Sequence, residues 1–130
     1  MKNILAVDYG SKWVGLAYAP AGTSIALPHG TIARTDDAQV VAQIAAHVAR
    51  ESVGLIVVGM PLMLSGDESA QSKRTKTFVD LLRPAVTCEV RTYSEAHTSS
   101  EAASRGGSGS SIHERSAMVL LEDWLEMHHE

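Results

Sequence analysis

Cysteine is almost absent from this chain: Cys88 is the only one. An intramolecular disulfide is therefore impossible, and a small scaffold stapled by disulfides is excluded. Missing too is any uninterrupted apolar run near the ~20 residues that a membrane-spanning helix needs. The first eight residues hold one lysine, a short apolar stretch and then Asp8, which is not the pattern of a secretory signal. Together these absences predict a reducing, cytoplasmic setting and no membrane association. Positive charge is also in deficit, with 11 Lys+Arg against 15 Asp+Glu and a formal charge of -4. A broadly basic, non-specific nucleic-acid binder is disfavoured by that balance. Carboxylates gathered around a cation have a different consequence, since they lower the net charge while the cation restores positive charge locally. What is present is an apolar fraction of 45% over 130 residues, typical of a globular protein and enough for the core of one domain over residues 1–130.

Local patterns predict the elements. Lys2 to Asp8 reads as a buried strand ending on a carboxylate, Tyr9 to Lys12 as a tight turn, and Trp13 to Tyr18 as the returning strand. A third strand is expected over Ile25 to Ile32, at a sheet edge because of Pro28. Asp36 or Asp37 caps a helix running to Glu51, with Val40, Val41, Ile44, Ala45 and Val48 on its apolar face. Gly54 to Gly59 is a continuous apolar run, the signature of a strand buried on both faces. A loop to Glu68 and a helix from Ser69 to Leu82 follow, with Ala70, Thr77, Phe78 and Leu81 expected inward. Val86 to Arg91 is a further strand and Ser94 to Ser104 a loop with a short helix. Arg105 to Ser111, rich in Gly and Ser, is expected to be mobile and to close on a substrate. The last helix is placed from His113 to Met127, on the stripe Ala117, Leu120, Leu121, Trp124 and Leu125. The order predicts an α/β fold with a mixed five-stranded sheet, a three-strand meander plus two parallel strands, flanked by helices.

Ligands of such sheets gather at the carboxyl ends of the strands. Asp8 ends the first strand and Glu95 lies just beyond the last. Alone, Asp8 is a turn-capping carboxylate and Glu95 a solvated loop residue. Brought to one rim, they repel unless a cation lies between them, and oxygen ligands of this kind suit Mg²⁺ or Mn²⁺. His113 opens the last helix and could face the same rim, where the positive end of the helix dipole would disfavour its protonation. Glu114 is the fallback third ligand; the two neighbours point ~100° apart around a helix and so do not share a site. Lys73 and Arg74 are placed to meet phosphates, or else lie on an ordinary solvated helix face.

Four segments, in order along the chain, resemble the YqgF/RuvX family. Leu5-Ala6-Val7-Asp8-Tyr9-Gly10-Ser11-Lys12-Trp13-Val14-Gly15-Leu16-Ala17 resembles its strand-turn-strand opening DYGxKRxGxA. Val57 to Leu62, with Gln71 and the basic helix after it, resembles its second segment. Glu95, Thr98, Ser99, Glu101 and Ala102 resemble its DERLTT/S motif, and Ser116, Ala117, Leu121 and Leu125 its closing helix. The resemblance implies a ribonuclease H-like fold and a nuclease related to RuvC resolvases, linked to 5′-end maturation of 16S rRNA and earlier proposed to act on Holliday junctions. It implies a site of three acids, of which Asp8 matches the first and Glu95 the second, while His113 stands at the third. Gly10, Lys12, Lys73, Arg74 and Arg105 are the expected substrate-binding residues. The chain departs from the family where Ser94, Ala96 and His97 replace Asp, Arg and Leu, and where Trp13 replaces Arg. An imidazole in place of an acid favours Mn²⁺ over Mg²⁺. The implied partner is nucleic acid, RNA ahead of branched DNA, with the ribosomal small-subunit precursor as its source, and the protein itself is expected as a monomer or weak dimer. Two other classes are open: a catalytically weak RNA- or ribosome-binding module, and a phosphotransferase of the actin and sugar-kinase superfamily, whose Asp-x-Gly hairpin is similar but which encloses ATP between two such domains.

Overall fold

A computed structural model describes residues 2–61, 70–95 and 109–128, and only the backbone of Pro61, Ser94, Glu95 and 109–111. Three strands come first, β1 (Asn3–Tyr9), β2 (Trp13–Ala19) and β3 (Leu27–Ala33), followed by helix α1 (Asp37–Glu51), strand β4 (Val53–Pro61), helix α2 (Ala70–Leu82), a short 3₁₀ turn (Arg83–Ala85), strand β5 (Glu89–Glu95) and helix α3 (Gly109–His128). The sheet order is β3-β2-β1-β4-β5. β1 pairs antiparallel with β2, and β2 with β3, whereas β4 runs parallel to both β1 and β5. The meander with two added parallel strands is therefore as the sequence predicts, and Pro28 does lie on an edge strand.

The sheet has a core on each face. Leu5, Val7, Leu16, Ile56 and Val58 pack with Val40 and Ile44 of α1 and Phe78 of α2. Ala6, Ala17, Leu55 and Val57 pack with Ala117, Leu120, Leu121 and Trp124 of α3. β4 feeds both, which is why its sequence is apolar at every position rather than alternating; each such side chain contributes ~1.5–3 kcal/mol by leaving water. Asp36 caps α1 by accepting from the Gln39 N–H at 2.8 Å, a contact worth ~0.5–2 kcal/mol. No helix among the described residues is long and apolar enough to cross a membrane.

Several expectations need correcting. In α2 only Phe78 of the four expected residues is buried; the inward row is Ser72, Thr75, Phe78, Val79 and Leu82, and Leu81 is 47% exposed. Small polar residues take part in that row because helical backbone satisfies them, as when the Thr75 hydroxyl donates to the Gln71 carbonyl at 2.8 Å. β5 starts three residues later than expected, after Pro84 has closed the 3₁₀ turn, so Glu95 is the last residue of the strand rather than a residue beyond it. β3 begins at Leu27, leaving Ile25 60% exposed. Helix α3 begins at Gly109, so residues expected in the mobile segment form its first turn. The rest of that segment, Arg105 included, and the expected loop at 62–68 lie outside the described residues.

Candidate functional site

β1, β4 and β5 are parallel, so their carboxyl ends share one rim. Asp8 is the penultimate residue of β1 and Glu95 the last of β5, paired with Pro61 at the end of β4. Val7 is level with Val58, and Val58 with Thr92, so Glu95 lies two strands across from Asp8 and about two residues further along. At ~4.8 Å per strand and ~3.3 Å per residue, their Cα atoms are about 12 Å apart.

The side chain that meets Asp8 comes from the other end of the sequence. His113 Nδ1 lies 2.7 Å from Asp8 Oδ2. Two glycines allow this. Asp8 pairs across the ladder with Gly15, and a Cβ at Gly15 would fall 2.0 Å from the His113 carbonyl oxygen and 2.6 Å from the Glu114 nitrogen. The backbone of α3 thus lies directly on β2 at the one residue with no side chain. A Cβ at Gly10 would stand 2.6 Å from His113 Cε1, so the imidazole occupies the space over the turn. The sequence carried this signal in the Gly-x-Ala of the second strand, but the helix that needs the gap is visible only in three dimensions.

The hydrogen bond to Asp8 raises the His113 pKa above the ordinary histidine value; burial works against this and the Asp8 charge adds to it. The expected lowering by the helix dipole is thereby reversed, and since α3 starts at Gly109 the imidazole is no longer at the helix end. Glu114 faces elsewhere, its Oε2 accepting from the Gly30 N–H of β3 at 2.5 Å. Gly30 takes a φ of +90° there, which only glycine adopts cheaply.

The turn between β1 and β2 is held from below by residues that composition did not single out. Tyr9 donates its hydroxyl to Asp37 Oδ1 at 2.5 Å, and Arg34 Nε donates to Asp37 at 2.9 Å and to the Tyr9 oxygen at 3.2 Å. Arg34 also reaches the Ser11 carbonyl, and its N–H the Lys12 carbonyl. Burial, then the bond to and the charge of Asp37, raise the Tyr9 pKa against the opposing effect of Arg34. Lys12 is exposed on this turn. Gln71 donates to the Tyr9 carbonyl at 3.0 Å, which fixes the first turn of α2 at the rim and with it the exposed Lys73 and Arg74. The Ser116 hydroxyl, one turn beyond His113, is buried without a hydrogen-bond partner among the described residues.

With His113 Nδ1 committed to one Asp8 oxygen by hydrogen bond, the other Asp8 oxygen and the imidazole Nε2 are the atoms left for a divalent ion that accepts both oxygen and nitrogen, beside a turn that carries the exposed Lys12.

Comparison with known proteins identifies the family and the fold. A family model described as RuvX, Holliday junction resolvase, matches residues 2–127. A protein of Chloroflexus aggregans named "putative pre-16S rRNA nuclease" is 32% identical over 96% of this chain and 94% of its own. A Pseudomonas putida protein of the same name is 31% identical over 97% and 96%. Among solved structures, RuvC of Thermus thermophilus in complex with a Holliday junction substrate superposes with a TM-score of 0.65 at 10% identity, over 99% of this chain and 97% of that one. That likeness shows the ribonuclease H-like fold.

Proposed function

The chain belongs to the RuvX family, and from that premise we propose that it is a divalent-metal-dependent nuclease that hydrolyses phosphodiester bonds in the 5′ region of pre-16S rRNA. The observation that carries this reading is the Asp8–His113 pair at the carboxyl end of β1, in a chain that matches the family along nearly its whole length.

Asp8 supplies the negative charge that holds a cation at the rim, with Glu95 as the second carboxylate. His113 sets the orientation of the Asp8 carboxylate through Nδ1 and offers an imidazole as third ligand, the place where relatives are expected to carry an acid. A divalent ion held there supplies Lewis-acid stabilisation of the leaving oxygen and lowers the pKa of a water in an in-line displacement. Lys12, Lys73 and Arg74, with Arg105, position the phosphates on either side of the scissile bond. An imidazole removes one negative charge from the site and adds a nitrogen donor, so Mn²⁺ is expected to serve better than Mg²⁺.

The test uses a 5′-extended 16S rRNA fragment and a four-way DNA junction as parallel substrates for the wild type and Asp8→Asn. Site-specific RNA cleavage by the wild type, lost in a folded Asp8→Asn, is the expected result. Cleavage of the junction alone would transfer the substrate to branched DNA, the reading favoured by the family's description. Cleavage that survives Asp8→Asn would overturn the mechanism.

A further inference from the structure

On the opposite face of the sheet lies a second cluster that the nuclease reading does not use. His47 and Glu51 stand four residues apart on α1, one helical turn on the same face. His29 reaches them from the edge strand β3, with its Nε2 2.7 Å from Glu51 Oε1, while His47 Nδ1 is 3.2 Å from Glu51 Oε2. One donor atom from each of the three residues lies within 4.8 Å of the others. We propose that His29, His47 and Glu51 form a second metal site, for an ion of the Zn²⁺ class, separate from the Asp8 rim.

The spacing is compact enough for a coordination sphere after small side-chain adjustments. Bonds of ~2.0–2.1 Å in a tetrahedral site set neighbouring donors about 3.4 Å apart; here one donor from each residue lies within 4.8 Å of the others, and each imidazole meets a different Glu51 oxygen, at 2.7 and 3.2 Å. Two imidazoles and one carboxylate are borderline ligands that suit Zn²⁺, with Co²⁺ and Ni²⁺ as chemical stand-ins, and they suit Mg²⁺ poorly. The side chains are 25%, 21% and 22% exposed, so an ion can enter and a fourth position is left for water.

The rings are held in place. Tyr18 stacks on His29 at 5.2 Å, and His29 meets His47 edge-on at 5.2 Å. Asn3 Nδ2 donates to the Glu51 and Ser52 carbonyls at the end of α1, where the negative end of the helix dipole favours a cation. Burial raises the Glu51 pKa, but hydrogen bonds from His47 and His29 outweigh it and hold the carboxyl below its ordinary range.

The metal-free contacts are also not mutually satisfiable. His47 Nδ1 lies 3.0 Å from Arg50 Nη2, which can only donate, and 3.2 Å from a Glu51 oxygen, which can only accept when ionised. One ring nitrogen cannot accept from the first and donate to the second in the same protonation state. An ion resolves the conflict by taking the lone pair and the role of positive charge, and Arg50, exposed at the surface, is free to turn outward. The ion would fasten β3, a strand at the end of the sheet, to α1.

Chelator-treated full-length protein is titrated at neutral pH with ZnCl₂ by calorimetry and with CoCl₂ by visible absorption, neither of which depends on nuclease activity. Three proteins are compared: wild type, Asp8→Asn, and the double variant His29→Gln/His47→Gln. Wild type and Asp8→Asn should both show the Zn²⁺ binding and the d–d absorption of nitrogen-ligated Co²⁺ that belong to this site, and the double variant should lose that component and keep only what the Asp8 rim binds. Loss of an orienting group behind a ligand already costs ~10–100-fold in affinity, so His47→Gln alone should weaken Zn²⁺ at least as much. That single variant carries the comparison if the double variant does not fold. A folded His variant with the wild-type Zn²⁺ isotherm would overturn the proposal, as would a wild-type isotherm that Asp8→Asn removes entirely.

Discussion

Asp8 and His113 are 105 positions apart in sequence and 2.7 Å apart in space, so a change at either alters what the other can hold. His113→Asp is expected to restore an all-oxygen site and raise cleavage in Mg²⁺ relative to Mn²⁺. Glu114→Gln keeps an acceptor for the Gly30 N–H and should leave the metal preference as it is. Cleavage by both variants in each metal decides this; loss of activity in Glu114→Gln with no change in His113→Asp would exchange their roles. A second residue-level expectation concerns Cys88, the lone thiol, whose pKa burial pushes up. A raised pKa in the folded state means that the native protein holds this proton more tightly than the unfolded chain. The contribution to stability is then present below the ordinary thiol pKa and fades as pH rises through the folded value. Cys88 should accordingly react with a disulfide reagent more slowly at neutral pH than a free thiol does and accelerate in alkali; a rate equal to that of glutathione across the pH series would count against it. The candidate acids were legible in the sequence because carboxylates at strand ends are a local pattern. That His113 shares their rim was also expected, with Glu114 as the fallback, but its direct contact with Asp8 was not legible, because it depends on how closely a helix approaches the sheet.

That approach belongs to the elements. The backbone of α3 crosses β2 at Gly15, where a Cβ would meet main-chain atoms 2.0–2.6 Å away. Gly15→Ala must therefore push the helix off the sheet, at a cost of ~1–3 kcal/mol typical of overpacking, and carry His113 away from Asp8. Gly59 is the internal control, since the nearest atoms to a Cβ there belong to the Leu120 side chain, the first at 3.1 Å, and that methyl can turn aside. Urea unfolding should show Gly15→Ala as the less stable variant and cleavage assays as the less active; equal effects at the two glycines would refute a backbone clash. Element existence was legible from periodicity, as for α1 with its Asp36 cap and α3 with its apolar stripe. The inward face of α2 was not, because Ser72 and Thr75 look like surface residues by type, although both are buried and the Thr75 hydroxyl is satisfied by the Gln71 carbonyl of its own helix.

For the whole molecule, stability rests on two cores that share β4. Phe78 is fully buried and stacks on Tyr9 with ring centroids 4.5 Å apart, so it joins the α1–α2 face to the residue beside Asp8. Phe78→Ala should cost ~3–5 kcal/mol, a large share of the ~5–15 kcal/mol available to a protein of this kind. The midpoint of urea unfolding should fall accordingly, and a shift smaller than that of a surface substitution would show that the cavity collapses without loss.

The sequence by itself determined the order of elements, the edge position of β3, the two-sided burial of β4 and the carboxylates at the strand ends, because each follows from patterns within a few residues. Tertiary structure decided between the two candidates for contact with Asp8, of which the sequence favoured His113. His113 and Glu114 are neighbours in the chain, and only the seating of α3 on Gly15 sends one to Asp8 and the other to the Gly30 N–H. It also decided the meeting of His29 with His47 and Glu51. Contacts across such separations depend on the close approach of whole elements, a property that no local window of residues encodes.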